Sequence, residues 1–177
     1  YSLSPPIYRF NKNIPILAPD IPTPEVVPEL PNYVYSIIGT SLPNGIGLSS
    51  TDGTITGTPL KVSPQTNYTI RARQGANNFT TDISLNVYEL SYPKSEYILD
   101  INVTISPLIL KVDGITDPSF TIDPALPPDG GLSFDSDNGT ISGKPTKSQV
   151  STKYTITATE SGTNILYQIF IYISVFE

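Results

Sequence analysis

The sequence predicts an all-β protein composed of two tandem antiparallel β-sandwiches. Three observations lead to this prediction: one unit occurs twice in the 177 residues, apolar residues alternate with polar ones inside each unit, and no stretch carries the apolar stripe of a helix. Turn-forming residues separate the alternating segments at close spacing, which is typical of antiparallel sandwiches.

The internal repeat defines two predicted domains, residues 1–89 and 90–177. Gly53-Thr54-Ile55 aligns with Gly139-Thr140-Ile141, and Tyr68-Thr69-Ile70 aligns with Tyr154-Thr155-Ile156. Further upstream we align Leu42-Pro43 and Gly47-Leu48-Ser49 with Leu126-Pro127 and Gly131-Leu132-Ser133, with two extra residues of the second copy in a turn. A weaker match pairs Tyr8–Ile16 with Tyr97–Ile105, and the boundary is expected within Glu89–Ser95.

The strands are predicted from a period of two. Tyr68, Ile70 and Ala72 form one alternating set, and Ile83, Leu85 and Val87 form another, in which Ser84 and Asn86 should face water.

Short turns are predicted between and after these strands. Asp52-Gly53 and Asn138-Gly139 tolerate the two positive φ angles of a type I′ hairpin turn. Strands should end at Gly57-Thr58-Pro59 and at Gly143-Lys144-Pro145, because proline cannot donate to a ladder.

Composition excludes several classes of function. The chain has no Cys and no His, so it offers no Ser-His-Asp triad, thiol nucleophile, zinc finger or disulfide framework. Its formal net charge of −6 argues against nucleic-acid binding, which needs a basic surface. No apolar run approaches the ~20 residues that span a bilayer. Because the chain also lacks Met, we expect a processed product or a piece of a longer protein.

The motif around the repeat resembles a known family. The motif consists of Leu42, Pro43, Gly47, Leu48, Gly53–Pro59 and Tyr68–Ala72 and of their second-copy counterparts. It resembles the immunoglobulin (cadherin-like) repeats of large secreted and cell-surface proteins. The resemblance covers nearly the whole chain. It implies two immunoglobulin-like sandwiches that act as spacers or adhesive beads in an extracellular array.

Four Asn-X-Ser/Thr sequons are candidate N-glycosylation sites. We expect Asn78 and Asn138 in turns, where a glycan meets little obstruction, and Asn67 and Asn102 at the borders of strands. The alternative is chance, since the chain is rich in Asn, Ser and Thr.

The acidic residues suggest one candidate metal site. Ten of the 16 Asp and Glu residues lie in 90–177, and Asp135 and Asp137 lie in a segment that looks like the start of a calcium loop. No bidentate Glu follows, and the sequence favours the alternative that Asp occurs there for turn formation. Paired carboxylates could also hydrolyse glycosides, but no Trp is present to line a cleft, so we predict no enzyme and no required cofactor.

The two ends of the chain are predicted to contact neighbouring subunits. Residues 5–31 hold eight Pro and should form a stiff, extended segment, whereas Asn164–Phe176 is apolar on both alternating faces. The second segment is either an ordinary last strand or a strand covered by a neighbour through strand addition. The candidate contact residues are Tyr8, Ile14, Ile16, Ile169, Ile171, Ile173 and Val175.

The tyrosines divide into two predicted groups. Tyr35, Tyr68, Tyr88 and Tyr154 are expected in the core. The others that we considered are either interface or sugar-stacking residues, namely Tyr1, Tyr8, Tyr33 and Tyr97.

These observations predict a secreted, non-enzymatic structural protein: one subunit or bead pair of a surface filament or adhesin. Its partners would be copies of itself, neighbouring domains of the same array and N-linked glycans, with no nucleic acid and no transmembrane segment. The alternative is a module that binds glycans or proteins through the acidic loops of the second domain, at Asp113, Asp129 or Asp135.

Overall fold

The computed structural model describes residues 5–17 and 32–177, and every helix or strand that it contains in these ranges is a β-strand. The chain divides into unit 1, Tyr1–Glu89, and unit 2, Leu90–Glu177. The first strands are β1 (Ile7–Asn11), β2 (Val34–Ile38), β3 (Ile46–Leu48), β4 (Ile55–Gly57), β5 (Ser63–Gln74) and β6 (Asn77–Ser91). They are followed by β7 (Glu96–Asp100), β8 (Lys111–Asp113), β9 (Ser119–Asp123), β10 (Leu132–Phe134), β11 (Ile141–Gly143), β12 (Gln149–Thr159) and β13 (Leu166–Phe176).

The two units repeat one sheet topology. The strand order is β1-β6-β5-β2 in unit 1 and β7-β13-β12-β9 in unit 2, and each unit adds a separate hairpin, β3–β4 or β10–β11. Along these two strand orders, neighbours are antiparallel except at one edge, where β1 runs parallel to β6 and β7 runs parallel to β13. The all-β tandem-sandwich prediction is confirmed.

Apolar residues from both layers form each core. In unit 1 the fully buried residues Ile55, Ile70 and Leu85 come from the hairpin and from the two long strands. Their counterparts in unit 2 are Ile141, Ile156 and Ile173, all with no exposed surface. The period of two along β5 is confirmed, since Tyr68, Ile70 and Ala72 alternate with more exposed residues.

Strand β6 departs from the predicted alternation. Every residue from Ile83 to Leu90 is buried, including Ser84 and Asn86, which were expected to face water. The hydroxyl of Ser84 and the amide oxygen of Asn86 are buried and accept or donate no hydrogen bond within the described part of the chain. Unpaired buried polar atoms lower stability. The burial of these two residues therefore results from tertiary contacts and not from their own preference for a buried position.

The turns after β3 and β10 are not of type I′. Only Gly53 and Gly139 have positive φ, 73° and 71°, whereas a type I′ turn needs two such residues. The loops are longer: Ser49 N–H donates to Thr54 O, and Gly53 N–H donates back to Ser49 O. Strands β4 and β11 end at Gly57 and Gly143, before the two prolines, as predicted.

The structure also corrects the alignment of the two copies. Ile46 pairs with Gly57, and Leu132 pairs with Gly143, so Gly131 is equivalent to Gly45 and not to Gly47. The two extra residues of unit 2 therefore lie between Pro127 and Gly131. The weaker match between Tyr8–Ile16 and Tyr97–Ile105 does reflect equivalent positions in the two units. Tyr8 pairs with Leu85 in unit 1, as Tyr97 pairs with Ile173 in unit 2.

The observed burial of the tyrosines differs in part from the burial that the sequence predicted. Tyr68, Tyr88 and Tyr154 are buried as predicted, and Tyr35 is half-buried against the core. Two of the proposed interface residues, Tyr33 and Tyr97, are also buried, so they are packing residues. The half-buried Tyr8 packs on the unit 1 core, and Tyr1 lies outside the described residues.

Tyr92, which the sequence did not single out, joins two segments of unit 2. It is buried, and its hydroxyl donates a hydrogen bond to the carbonyl of Gly139 in the turn after β10. Burial raises the pKa of Tyr92 well above its usual value, with a smaller contribution from Tyr97, so the hydroxyl keeps its proton further into the alkaline range than an exposed tyrosine does. The start of unit 2 is thereby tied to the turn of its hairpin.

The glycine that ends β11 should not be replaceable without a loss of stability. Gly143 has φ of 126°, and a Cβ there would lie 2.3 Å from the carbonyl oxygen of Gly131. Because the clash is with backbone, Gly143→Ala should lower the free energy of unfolding by at least about 2 kcal/mol, measured by urea titration. Gly47→Ala is the control, since its Cβ would meet nothing within 4 Å. It should change stability by less than about 0.5 kcal/mol, and equal losses would contradict this assignment.

Candidate interaction surfaces

The four sequon asparagines are all exposed. Asn67 and Asn78 lie in β5 and β6, so Asn78 is in a strand next to a turn and not in the turn itself. Asn102 follows β7 with a φ of 60°. Asn138 is in a turn, but its amide nitrogen donates to Asp135 Oδ2 (2.7 Å), and its oxygen accepts from Thr140 N–H (2.9 Å). Glycosylation of the four sites stays a prediction, and at Asn138 a glycan would compete with the turn.

The candidate calcium residues belong to this same turn. The backbone N–H of Asp137 donates to Asp135 Oδ1 (2.8 Å), and Asn138 occupies the other carboxylate oxygen. Both oxygens of Asp135 therefore stabilise the turn, as the Asx-turn alternative predicts. Among the described residues, no three His, Cys, Asp or Glu side chains come close enough to hold a metal ion.

Replacing Asp135 and Asp137 in turn tests which role the carboxylate has. Asp135→Ala should lower the free energy of unfolding by about 1 kcal/mol because two hydrogen bonds to the carboxylate are lost. Asp137→Ala should leave stability within about 0.5 kcal/mol. Thermal unfolding with calcium and with EDTA should give the same midpoint for the wild type. A calcium-dependent rise that Asp135→Ala abolishes would restore the metal-site hypothesis.

The other acidic side chains of unit 2 are spread over its surface. Asp113, Asp117, Asp123 and Asp129 are exposed, and Asp129 pairs with Lys147 at 3.2 Å. Glu160 accepts a hydrogen bond from Thr116 N–H (3.0 Å), which lowers the pKa of its carboxyl group, and hydroxyl donors add to the effect. These contacts brace loops of unit 2 and do not converge on a shared pocket.

Each unit is closed by a parallel ladder between its first and last strands. In unit 2, five residue pairs join β7 to β13, from Glu96↔Tyr172 to Asp100↔Phe176. Hydrogen bonds mark both ends of the ladder, from Tyr172 N–H to Ser95 O (2.8 Å) and from Ile101 N–H to Phe176 O (2.8 Å). We call this feature the terminal ladder.

Unit 1 has the same terminal ladder between β1 and β6. Its ends are marked by hydrogen bonds from Ser84 N–H to Pro6 O (2.8 Å) and from Lys12 N–H to Tyr88 O (2.7 Å). The half-buried Lys12 also forms an ion pair with the buried Glu89, at 3.1 Å. Removing either partner would leave a poorly solvated charge, so the pair fixes the exit of β6 against the end of β1.

The predicted subunit-contact residues fall mostly inside these ladders and cores. Ile16, Ile171, Ile173 and Val175 are buried in their own units, which leaves their side chains little surface for a neighbour. Tyr8 and Ile169 are half-buried, and Ile14 is exposed. Of the Pro-rich stretch 5–31, residues 18–31 lie outside the described part of the chain. Strand β13 is central, since it pairs with β12 and with β7.

Among the described residues, we consider two surface features that are open to partners. Strand β7 ends its sheet, and no described strand pairs with its outer edge. A groove of about 500 Å³ runs along this strand and the segment that follows, and Tyr97, Ile98, Val103 and Ile105 contribute to its lining. The second feature is the outer face of β13, where alternate residues Phe170, Tyr172 and Phe176 are exposed.

Comparison with known proteins identifies both units. A family model described as "Putative Ig domain" matches residues 10–88 and again residues 90–175. The "Serine-rich adhesin for platelets" of Staphylococcus aureus is 35% identical over 130 residues, which is 71% of this chain and 6% of the adhesin. The adhesin of the same name from strain MRSA252 is also 35% identical over 130 residues, which is 9% of that adhesin. This chain therefore spans a small part of its curated relatives.

Two solved structures of Drosophila proteins match most of this chain at low sequence identity. Drosophila N-cadherin EC1-3 is 16% identical, with a TM-score of 0.40, over 97% of this chain and 64% of that one. Drosophila OTK extracellular domains 3-5 are 14% identical, with a TM-score of 0.37, over 98% of this chain and 60% of that one. In the described part of this chain, no helix has the length and apolarity needed to cross a membrane.

Proposed function

Because the chain belongs to the Ig-domain family, whose model matches both of its units, we propose that it is a non-enzymatic, load-bearing bead pair of an extracellular adhesin or surface filament. The observation that carries this proposal is the terminal ladder, which occurs in both units. The matched relatives are named as adhesins, and they extend far beyond the matched segment, which supports a place in a longer extracellular array.

The terminal ladder suits a chain that is pulled from its two ends. Force on the N-terminal end of β7 and on the C-terminal end of β13 slides two parallel strands past each other. All hydrogen bonds of the ladder then carry load together, whereas antiparallel terminal strands would separate one bond at a time. Forced unfolding depends on the barrier to unfolding, so a ladder that must break as a whole slows it.

Composition supports an exposed structural role. The chain contains no Cys, Met or Trp that could be oxidised, and no His that would titrate near neutral pH. Exposed sequons would let N-linked glycans add to its solubility. The dispersed carboxylates of unit 2 do not favour the alternative of a binding site in its acidic loops.

Contacts between neighbouring subunits would use surfaces that the cores leave free. The exposed Ile14 and the outer edge of β7 are two candidates among the described residues, besides the outer face of β13. An edge strand offers unpaired backbone groups, so strand addition by a neighbour is chemically suited to β7.

Two proline substitutions in β7 test the mechanical role. Ile101 N–H donates to β13 at the end of the ladder, and backbone N–H groups alternate in direction along a strand. The N–H of Leu99 therefore points toward β13, and that of Ile98 points away from it. Leu99→Pro should therefore lower the unfolding force of unit 2 in single-molecule pulling through the chain ends, and lower its stability by about 1–3 kcal/mol.

Ile98→Pro is the matched control, because the same ring is introduced one residue away without the loss of a ladder bond. It should leave the unfolding force of unit 2 close to that of the wild type, and unit 1 provides an internal reference in the same molecule. Equal forces for Leu99→Pro and the wild type would show that the ladder does not bear the load.

A further inference from the structure

The outer face of the unit 2 sheet carries an apolar cluster that its own fold does not cover. The cluster, which we call the aromatic face, lies on the outward positions of β13, where the exposed Gln168 and the buried Ser174 interrupt it, and includes one residue of β7. Its members are Leu166 (60% exposed), Phe170 (54%), Tyr172 (37%), Phe176 (50%) and Ile98 (69%). Apolar side chains gathered on one face usually mark an interaction site.

Unit 1 shows that the fold does not require this cluster. Tyr68 pairs with Ile83 as Tyr154 pairs with Ile171, so the register of the two sheets can be compared residue by residue. The position of Phe170 is occupied in unit 1 by the exposed Asp82, and that of Tyr172 by Ser84, which is buried. Ile98 pairs with Ser174 as Arg9 pairs with Asn86, so Arg9 replaces Ile98. At these three positions the same backbone carries polar residues in unit 1 and apolar or aromatic residues in unit 2.

Opposite charges flank the centre of the aromatic face. Tyr172 pairs with Lys153 of β12 on one side and with Glu96 of β7 on the other, and both charged residues are exposed. With strands about 4.8 Å apart, the backbone positions of Lys153 and Glu96 lie at similar distances from that of Tyr172, in one row across the sheet. A half-turn about an axis along β13 exchanges these two positions.

This arrangement is complementary to itself. We infer that two copies of the chain pair face to face through the aromatic face, around a two-fold axis that runs along β13 near Tyr172. In this dimer Lys153 of each copy stands opposite Glu96 of the other copy, and the aromatic residues of β13 meet their own counterparts. The pairing is isologous and therefore closes as a dimer. Sheets pack in this way about 10 Å apart, with strands nearly aligned.

The ring geometry favours a second copy over a sugar chain. The rings of Phe170 and Tyr172 are nearly perpendicular, at 82°, and do not form a flat platform on which successive sugar rings could stack. The ammonium group of Lys153 already lies 4.3 Å from the centre of the Phe170 ring. Burial of this cation and ring in a dimer would strengthen their attraction.

Charge reversal in the full chain tests the inference, which does not depend on the proposed mechanical role. Sedimentation velocity over a concentration series should show wild-type monomer and dimer in reversible equilibrium. Lys153→Glu and Glu96→Lys should each weaken the dimer at least tenfold, because like charges then face each other. The double variant K153E/E96K should recover the wild-type dissociation constant to within about threefold, since both pairs are again opposite in sign.

Removal of apolar surface gives a second measurement with a matched control. Phe170→Thr should also dissociate the dimer, whereas Val34→Thr, at a residue of unit 1 that is 59% exposed, should not. Urea unfolding of each variant checks that the sandwiches remain folded. Three outcomes would each overturn the inference. The wild type stays monomeric, the dimer persists unchanged in all variants, or the double variant does not recover the wild-type dissociation constant. A dimer without longer polymers would support it while arguing against a filament.

Discussion

The parallel pairing of the first and last strands of each unit is the constraint on which the rest of the structure depends. It joins the two ends of each sandwich, places β6 and β13 between two neighbours, and so requires apolar residues along their inner faces. In unit 1 it also brings Lys12 to Glu89, 77 residues away, where the ion pair holds the end of the ladder. In the mechanical role that we propose, tension between the ends of a unit acts across the hydrogen bonds of its ladder.

The two units separate what the fold requires from what it permits. Core residues correspond closely, as Ile55, Ile70 and Leu85 do to Ile141, Ile156 and Ile173. The outer faces differ in chemistry although the backbone is the same, since the exposed Asp82 of unit 1 stands where the exposed Phe170 stands in unit 2. A domain that only bears load needs the set of core residues that the two units share. The residues of the outer face are not needed for that role and are free to contact a partner.

The sequence predicted features that depend on neighbours along the chain. Alternation at Tyr68, Ile70 and Ala72 was read correctly because a strand has a local period, and strand ends at Gly57 and Gly143 followed from proline chemistry. The terminal ladders were not predicted, since no local pattern says which distant strand becomes a partner. The turn type was wrong because Asp52 and Asn138 bond to the following backbone in place of adopting positive φ. Burial of Ser84 and Asn86 likewise depends on tertiary contacts.

The central claim is that the terminal ladder resists force along the chain axis, and the direction of pulling tests it most directly. Unit 2 would be pulled once through its two ends, which shears β7 against β13, and once through Ser148 and the C-terminus. Because Gln149 pairs with Val175, these two points lie at the same end of the antiparallel pair, so this second geometry peels β12 from β13 and leaves β7 unloaded. We predict a clearly higher unfolding force in the first geometry. Equal forces in the two geometries would contradict the claim, because resistance would then come from the sandwich as a whole.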